Sequence, residues 1–335
     1  MWLTSVRAEG FSAAPVLRLE DLGRVAGIVG APERCAQLGA GLRLCFAALL
    51  PERLPRVLCD LGFHPEAAAI EVTGSPLPAQ AAWADPHAAR ALLADPGERH
   101  LKVRVGLALD PLQFRFLREH AGRHPWLVQA LAEGARAELE VGYLFNRGLG
   151  AVAVSVLALT LGGERVPVVG PEAPSWVPEF LVGLARRFRA LPPGGGSFDQ
   201  ARLAWLAAAQ HPDPARHEAA QRVQAALEGA PFHLPSPRPV RWGERAEVVC
   251  GPRGLPIAWY GPGAVEALEL ATAVHLGGAE ILCLDHPGAF QTRPTETWAW
   301  LDTQATGPAS PLEQVLMLGV DRAPRHTLDH GDDAA

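Results

Sequence analysis

The stretch that decides the fold is residues 24–50, which read RVAGIVGAPERCAQLGAGLRLCFAALL. The apolar run at residues 24–29 is typical of a buried strand, and it ends at Gly30. An apolar helical segment follows, from about Glu33 to Leu50. A strand that ends in glycine and opens into a helix is the setting of a phosphate-binding loop, where backbone N–H groups hold an anion. Gly30 is therefore a candidate cofactor-binding residue.

Beyond its first glycine, this loop departs from the phosphate-loop template G-x-x-x-x-G-K-[ST]. The second glycine position holds Cys35, the lysine position holds Ala36 and the hydroxyl position holds Gln37. Pro32 has no N–H to offer, and the negative charge of Glu33 repels phosphate. A purely structural turn between strand and helix is the simpler interpretation, and any phosphate site here is vestigial.

A second informative segment, AEILCLDHP at residues 279–287, reads as a buried strand that brings Asp285 to the carboxyl edge of a sheet. In nucleotide hydrolases an aspartate at this place holds Mg²⁺, and a glutamate that polarises the attacking water usually follows it. Here the next residue is His286, and a histidine can act as a base near neutral pH. Asp285 is thus a weak candidate metal ligand and His286 a weak candidate catalytic base. The alternative is an aspartate that caps the turn before Pro287.

A third segment, YGPGAVEALELATAVHL at residues 260–276, is a glycine-containing turn that opens a long helix before that strand. In this order and spacing the chain resembles the ABC ATPase heads of the SMC/RecF-like branch, also called AAA-type or OLD-like ATPases. The opening strands and phosphate loop of that P-loop family correspond to residues 5–35, and its signature and magnesium strand to residues 260–294. The resemblance covers both ends of the chain, roughly residues 1–50 and 255–322.

Carried over position by position, the resemblance implies that the residues which contact ATP, Mg²⁺ and water are largely lost. The signature serine position is Gly261, and the catalytic glutamate position is His286. The leucine and histidine of the family's last motif fall at Thr292 and Arg293, and the switch histidine falls near Val320. The residues that are kept mostly define backbone shape: Gly30, Gly263, Asp285, Pro287 and Pro294.

These departures predict a catalytically inactive pseudo-ATPase that acts as a structural or regulatory scaffold in a multi-protein assembly and uses no cofactor. Heads of this family pair across their nucleotide sites, so the resemblance implies a protein partner or self-association through the former nucleotide face. One alternative is a divergent ATPase that binds ATP and Mg²⁺ and uses Asp285 and His286. Another is a nucleic-acid-binding module that uses the arginines of the helix predicted at residues 175–190, namely Arg186, Arg187 and Arg189.

The predicted fold class is α/β, a P-loop-NTPase-like ABC ATPase head with a mixed central sheet, an N-terminal antiparallel β portion and a helical insertion. The expected boundaries are an N-terminal lobe at 1–170, a helical insertion at 171–235, a C-terminal lobe at 236–322 and a flexible tail at 323–335. Within that tail, His326 and His330 have a spacing that a metal site can use, although a mobile tail argues against one.

Composition restricts the classes of function. The length of 335 residues is enough for one large domain or two ordinary ones. A composition of 48% hydrophobic and 20% charged residues allows a sizeable buried core. A net charge of −6 gives no global basic field for nucleic acid. Five scattered cysteines without a CxxC pair predict neither a disulfide framework nor a zinc ribbon. The sequence shows no signal peptide and no apolar stretch of about 18 residues, so we expect a soluble cytoplasmic protein without membrane contact.

Lysine usage adds one restriction. Of 30 basic residues only Lys102 is a lysine, so a mechanism that needs a phosphate-binding lysine must use Lys102. Its context, HLKVRV, predicts a solvent-facing cation on a strand instead.

Overall fold

The computed structural model of the chain describes residues 1–12, 14–50, 53–61, 100–132, 136–146, 151–168, 171–191, 198–285, 294–307, 312–319, 325–327 and 329–330. The chain divides into two compact units. Unit 1 consists of residues 1–23, 28–187 and 321–335, and unit 2 consists of residues 24–27 and 188–320.

The strands and helices alternate irregularly along the chain. The strands are β1 (Trp2–Phe11), β2 (Ala14–Leu19), β3 (Val25–Val29), β4 (His100–Ala108), β5 (Arg136–Asn146), β6 (Ala151–Leu161), β7 (Glu164–Val166), β8 (Phe188–Leu191), β9 (Arg238–Trp242), β10 (Arg245–Cys250), β11 (Leu255–Pro256), β12 (Ile281–Asp285), β13 (Gln314–Leu318), β14 (Arg325–Thr327) and β15 (Asp329–His330). The helices are α1 (Pro32–Ala47), α2 (Leu54–Asp60), α3 (Pro111–Ala121), α4 (Pro125–Ala132), α5 (Val177–Arg187), α6 (Phe198–Ala209), α7 (Pro214–Glu228), α8 (Pro262–His275) and α9 (Pro294–Thr306), with a 3₁₀ helix at Ile257–Tyr260.

Unit 1 is built on a seven-stranded sheet in the order β15-β2-β1-β4-β5-β6-β7. Each strand pairs antiparallel with its neighbours in this order, and β5 and β6 form a long hairpin. Strand β4 alternates as its sequence requires, because Leu101, Val103 and Val105 are fully buried whereas Lys102 and Arg104 are partly exposed. One face of this sheet therefore belongs to the core, and the other carries charge.

A capping box fixes the start of α3. The Asp110 carboxylate accepts hydrogen bonds from the N–H groups of Leu112 at 2.7 Å and Gln113 at 2.8 Å, while the Gln113 side chain accepts from the Asp110 N–H at 3.0 Å. The same carboxylate pairs with the α-ammonium group of Met1 at 3.3 Å and with the Arg187 guanidinium. Asp110 is only 6% exposed, so it connects the N-terminus, α3 and α5 in the interior of unit 1.

Unit 2 contains the parallel part of the fold. Strands β3, β13, β12 and β8 follow one another in a sheet, and β12 pairs in parallel with both β13 and β8. The N–H of Val315 in β13 donates to the Arg24 carbonyl next to β3 at 2.7 Å. All five residues of β12 are buried, as expected for a parallel strand covered on both faces.

A smaller part of unit 2 is a three-stranded antiparallel sheet, β11-β10-β9, with α6, α7 and α8 packed nearby. Its core includes Trp205 and Val223 from the helices and Val248 from β10, each at most 1% exposed. The indole N–H of Trp205 donates to the Ala220 carbonyl at 3.1 Å, so its buried polar group is satisfied.

The structure confirms the predicted mixed α/β architecture with an antiparallel N-terminal portion, and it corrects several element predictions. Residues 188–190 belong to strand β8 and not to the helix predicted at 175–190, because this short apolar segment pairs with β12. Strands β14 and β15 fall within the predicted tail at 323–335, and β15 pairs with β2, while the flexibility of that tail stays a prediction. Helices α3 and α4 are separate, since Pro125 starts a new helix.

Candidate functional site

The junction between β3 and α1 is where the sequence predicts a vestigial phosphate loop. Two residues, Gly30 and Ala31, connect the strand to the helix, and α1 begins at Pro32. Proline is well suited to the first helical position because its missing N–H needs no partner there. The segment that corresponds to the body of a phosphate loop therefore forms the first turn of a helix.

Two backbone donors of this turn are used within the helix. The N–H groups of Arg34 and Cys35 both donate to the Ala31 carbonyl, at 3.0 and 3.1 Å. Pro32 has no N–H, and Glu33 places a negative charge in the first turn, where the helix dipole favours an anion. A negative charge thus occupies the first turn, and it opposes the binding of a second anion there.

The side chains at the motif positions have structural partners. Cys35 is fully buried, and its Sγ lies 3.9 Å from the Ile28 carbonyl oxygen. Gln37, at the position of the magnesium-binding hydroxyl, is 7% exposed and donates through Nε2 to the Ser12 hydroxyl. Ala36, at the lysine position, is exposed and carries no charge. The three side chains fit a packed helix, and none of them is a cation.

The candidate metal ligand Asp285 lies where the sequence predicts it. It is the last residue of β12, it is 6% exposed, and its Cα partner in β13 is Leu318. The candidate base His286 lies outside the described residues, as do Pro287, Thr292, Arg293 and Val320. Pro294, another motif residue, is the first residue of α9. Among the segments described, no group of three or more His, Cys, Asp and Glu side chains is arranged to hold a metal ion.

At the signature position, Gly261 is the N-cap of α8 with φ +95° and ψ 173°. This conformation is almost restricted to glycine. Gly263, the motif glycine singled out from the sequence, lies in the first helical turn, and a Cβ placed there would meet no atom within 4 Å. The backbone therefore requires glycine at Gly261 and not at Gly263. The Gly-Pro pair that starts α8 was the available signal for this.

Lys102 does not substitute for the missing phosphate lysine. Its Nζ lies 3.2 Å from Glu140 Oε1 on the charged face of the seven-stranded sheet. Glu140 also accepts from Arg104 at 2.9 Å. The prediction of a solvent-facing strand cation is thus confirmed.

The three arginines predicted to form an anion patch are not equivalent in the structure. Arg186 is exposed on α5, Arg187 is paired with the buried Asp110, and Arg189 belongs to strand β8. The prediction of one basic helix face that contains all three arginines is therefore wrong. Exposed arginines for which the described part of the chain contains no carboxylate partner lie elsewhere, between residues 238 and 253.

Two other predictions concern thiols and membranes. All five cysteines are free, and four of them are buried, which agrees with the absence of a disulfide framework. Among the helices in the described segments, none combines the length and the apolar character needed to cross a bilayer.

No protein-family model matches this sequence, and no curated protein matches it. Among solved structures, the recombination mediator protein RecF of the RecFOR pathway, with ATPrS, is similar over 98% of this chain and 96% of its own, with 9% identity and a TM-score of 0.46. The structure of RecF with ATP gives the same coverage and identity with a TM-score of 0.43. The Smc head domain from Pyrococcus yayanosii, solved with a coiled coil and joint, is similar over 68% of this chain and 36% of its own, with 11% identity and a TM-score of 0.27. At these identities and TM-scores, the similarities assign neither a family nor a function to the chain.

Proposed function

We propose that this chain is a catalytically inactive pseudo-ATPase of the SMC/RecF-like type, and that it serves as a structural or regulatory subunit in a multi-protein assembly. The observation that carries the proposal is the β3–α1 junction. The N–H groups of Arg34 and Cys35 are used by the Ala31 carbonyl and Pro32 has no N–H, so three positions of this turn offer no donor to a phosphate. The order of the sequence motifs supports the family resemblance independently of this geometry.

The magnitudes favour loss of nucleotide binding. A charge-assisted contact to phosphate contributes about 1.5–3 kcal/mol, whereas a micromolar affinity for ATP corresponds to about 8 kcal/mol. Loss of the lysine, of the magnesium-binding hydroxyl and of several loop N–H donors together removes most of that free energy. An inactive head of this kind acts through its contacts, so its partner is a protein, either a second copy or an active relative.

Isothermal titration with ATP and Mg²⁺ tests the proposal directly. We expect no binding below millimolar concentrations, because neither the cation nor the cradle is present. The matched variant is Ala36→Lys, which restores a cation at an exposed position without reopening the first turn of α1. We expect this variant to remain unable to bind. Submillimolar affinity of the unaltered protein would overturn the proposal, and a gain of affinity in Ala36→Lys would show that the backbone is still competent.

A second candidate is favoured by one observation, the position of Asp285 at the carboxyl end of a buried parallel strand. In this alternative, Asp285 holds Mg²⁺ and His286 activates water for slow ATP hydrolysis. Measuring phosphate release distinguishes the two candidates. Turnover that His286→Ala abolishes supports the divergent ATPase, whereas absence of turnover in the unaltered protein contradicts it.

A further inference from the structure

Helix α8 contributes to two hydrophobic cores of unit 2. The core that contains Trp205 includes one stripe of the helix, formed by Ala264, Ala267, Leu268 and Ala271. The core of the parallel sheet includes a second stripe, formed by Leu270, Ala273 and Val274. Each stripe has the three- and four-residue spacing that places side chains on one face of a helix. The two cores therefore share α8, one on each of two faces.

A histidine lies where the first stripe reaches the end of the helix. His275 is the last residue of α8, and it follows Ala271 by four residues, so it continues the same face. The side chain is partly buried. A neutral imidazole can pack beside an apolar stripe, whereas a charged one is disfavoured there because it loses water. The protonation state of His275 therefore matters for packing at this end of α8.

The His275 ring packs within a cluster of three rings. Its centroid is 6.2 Å from that of Trp300 on α9, and Trp300 is in turn 5.4 Å from Phe232, which lies between α7 and β9. Both contacts are edge to face, the usual geometry of a favourable aromatic pair. Phe232 packs against both cores of unit 2. We call these three residues the His–Trp–Phe cluster; it connects the end of α8 to α9.

Positive charges face this end of α8 from two other elements. Arg222 on α7 acts on His275 through its charge. Arg189 on β8 is also near, because its Nη1 lies 2.8 Å from the point where a Cβ on Gly277 would stand. The C-terminus of a helix favours a cation, but burial and then the charge of Arg222 outweigh this and lower the pKa of His275 to about 4. The ring is therefore neutral near pH 7.

We propose that His275 is a pH-sensitive switch in unit 2: its neutral ring keeps Trp300 packed in the cluster, and its protonation separates Trp300, and with it α9, from the end of α8. The imidazolium regains water and moves away from Arg222 when it turns outward, and Trp300 then loses the ring on which it packs. The nucleotide site takes no part in this, since no residue of the β3–α1 junction belongs to the cluster.

The direction of the pH dependence follows from the lowered pKa. In the unfolded chain His275 takes up its proton at the ordinary value of 6.5, whereas in the folded protein it does so only at about 4. The contribution of the cluster to stability is thus complete above about pH 6.5, and it is lost as the pH falls from there to about 4.

Fluorine NMR of the full chain labelled with 5-fluorotryptophan tests the switch, and Trp300→Phe identifies the Trp300 resonance. We expect this resonance to titrate with a midpoint well below 6.5, and to stop titrating in His275→Gln. Arg222→Gln removes a charge at an exposed position, so the midpoint should move upward. His217→Gln, which replaces an exposed histidine of the same helix α7, is the matched control and should leave the midpoint unchanged.

Several outcomes would overturn the proposal. They are a Trp300 resonance that does not titrate between about pH 7 and 4, a midpoint at or above 6.5, and a titration that persists in His275→Gln. A midpoint that falls in Arg222→Gln, or that moves as much in His217→Gln, has the same consequence. If all the tryptophan resonances change together, acid unfolds the whole protein, and the switch is also rejected. Arg222→Gln keeps the test decisive if His275→Gln does not fold, because Arg222 is exposed.

Discussion

Arginine is used differently in the two antiparallel sheets. In the seven-stranded sheet, Arg7 faces Arg18 on one side and Arg104 on the other, so three like charges lie in one row across adjacent strands. Such a row is destabilising unless it is neutralised. Each arginine in the row has a carboxylate within 2.9 Å: Glu9, Glu20 and Glu140, respectively. In the three-stranded sheet and its β10–β11 turn, four exposed arginines have no such partner among the described residues, namely Arg238, Arg241, Arg245 and Arg253.

This difference separates two uses of one residue type. A paired arginine contributes to the fold, and its replacement leaves a carboxylate without a partner. An unpaired, exposed arginine contributes little to folding, and its charge stays available to a ligand. Arg187 is an extreme example of the first use, because its partner Asp110 is almost completely buried. Measurements of stability can therefore distinguish arginines that stabilise the fold from arginines that do not, and no ligand needs to be known.

The largest effect is expected for Asp110→Ala. This change removes the N-cap of α3 and leaves the Arg187 guanidinium and the Met1 ammonium group without their buried partner. We expect the free energy of unfolding to fall by about 3–5 kcal/mol, measured by urea denaturation. Glu20→Ala is the matched control, since it breaks an exposed pair with Arg18 and should cost less than about 1 kcal/mol. Equal losses in the two variants would contradict the assigned difference.

A smaller effect is expected from acid. Burial tends to raise the pKa of Asp110, but the hydrogen bond from the Gln113 N–H and the charges of Arg187 and the N-terminus outweigh it and lower that pKa. Burial likewise tends to raise the pKa of Glu140. The hydrogen bonds from Arg104 and Lys102 outweigh this effect, so the pKa of Glu140 is also lowered. A carboxyl with a lowered pKa stabilises the folded state above its unfolded pKa of about 3.9–4.3, and this stabilisation is lost as the pH falls through the folded value.

Stability is therefore expected to fall as the pH drops below about 5, and urea denaturation at a series of pH values measures it. In Asp110→Asn, which cannot titrate, the acid-dependent loss should be shallower than in the unaltered protein. An unchanged slope in this variant would remove Asp110 from the explanation.

The smallest effect is expected for Arg245→Gln. Because Arg245 has no carboxylate partner among the residues described, we expect a change in unfolding free energy within about 0.5 kcal/mol. Arg104→Gln provides the comparison from the other sheet, where loss of the contacts with Glu140 and Glu138 should be measurable. If Arg245→Gln destabilises the protein as much as Arg104→Gln does, the hairpin arginine has a structural role and the comparison fails.

The sequence predicted the elements whose patterns are local. The apolar runs at β3 and β12 and the long helix α8 were found because composition and turn residues suffice for them. Strand β8 was missed because FRAL continues the apolar spacing of α5, and only its pairing with β12 makes it a strand. The exposed state of Trp242 and Trp259 was also not predictable, since a tryptophan next to a proline-rich segment is as compatible with a core as with a surface.

The sequence predicted where the candidate site lies along the chain, but it did not predict the contacts of its side chains. The residue types at Cys35, Ala36 and Gln37 already argued against a phosphate loop. The observed start of α1 at Pro32 lies one residue before the predicted start at about Glu33, and Pro32 favours the first helical position. The partner of Gln37, the Ser12 hydroxyl, is 25 residues away, and no local pattern identifies such a contact.

Under the proposed function, the short turn between β3 and α1 also bears on whether substitutions could create a phosphate site. A working loop would require the first turn of α1 to unwind, and the replacement of Pro32, Cys35, Ala36 and Gln37 together. Each replacement alone supplies no cradle, and those at Cys35 and Gln37 also disturb packed side chains. Variants that carry only some of these replacements would thus be less stable without gaining phosphate affinity. We therefore expect no single substitution in this turn to create a phosphate site.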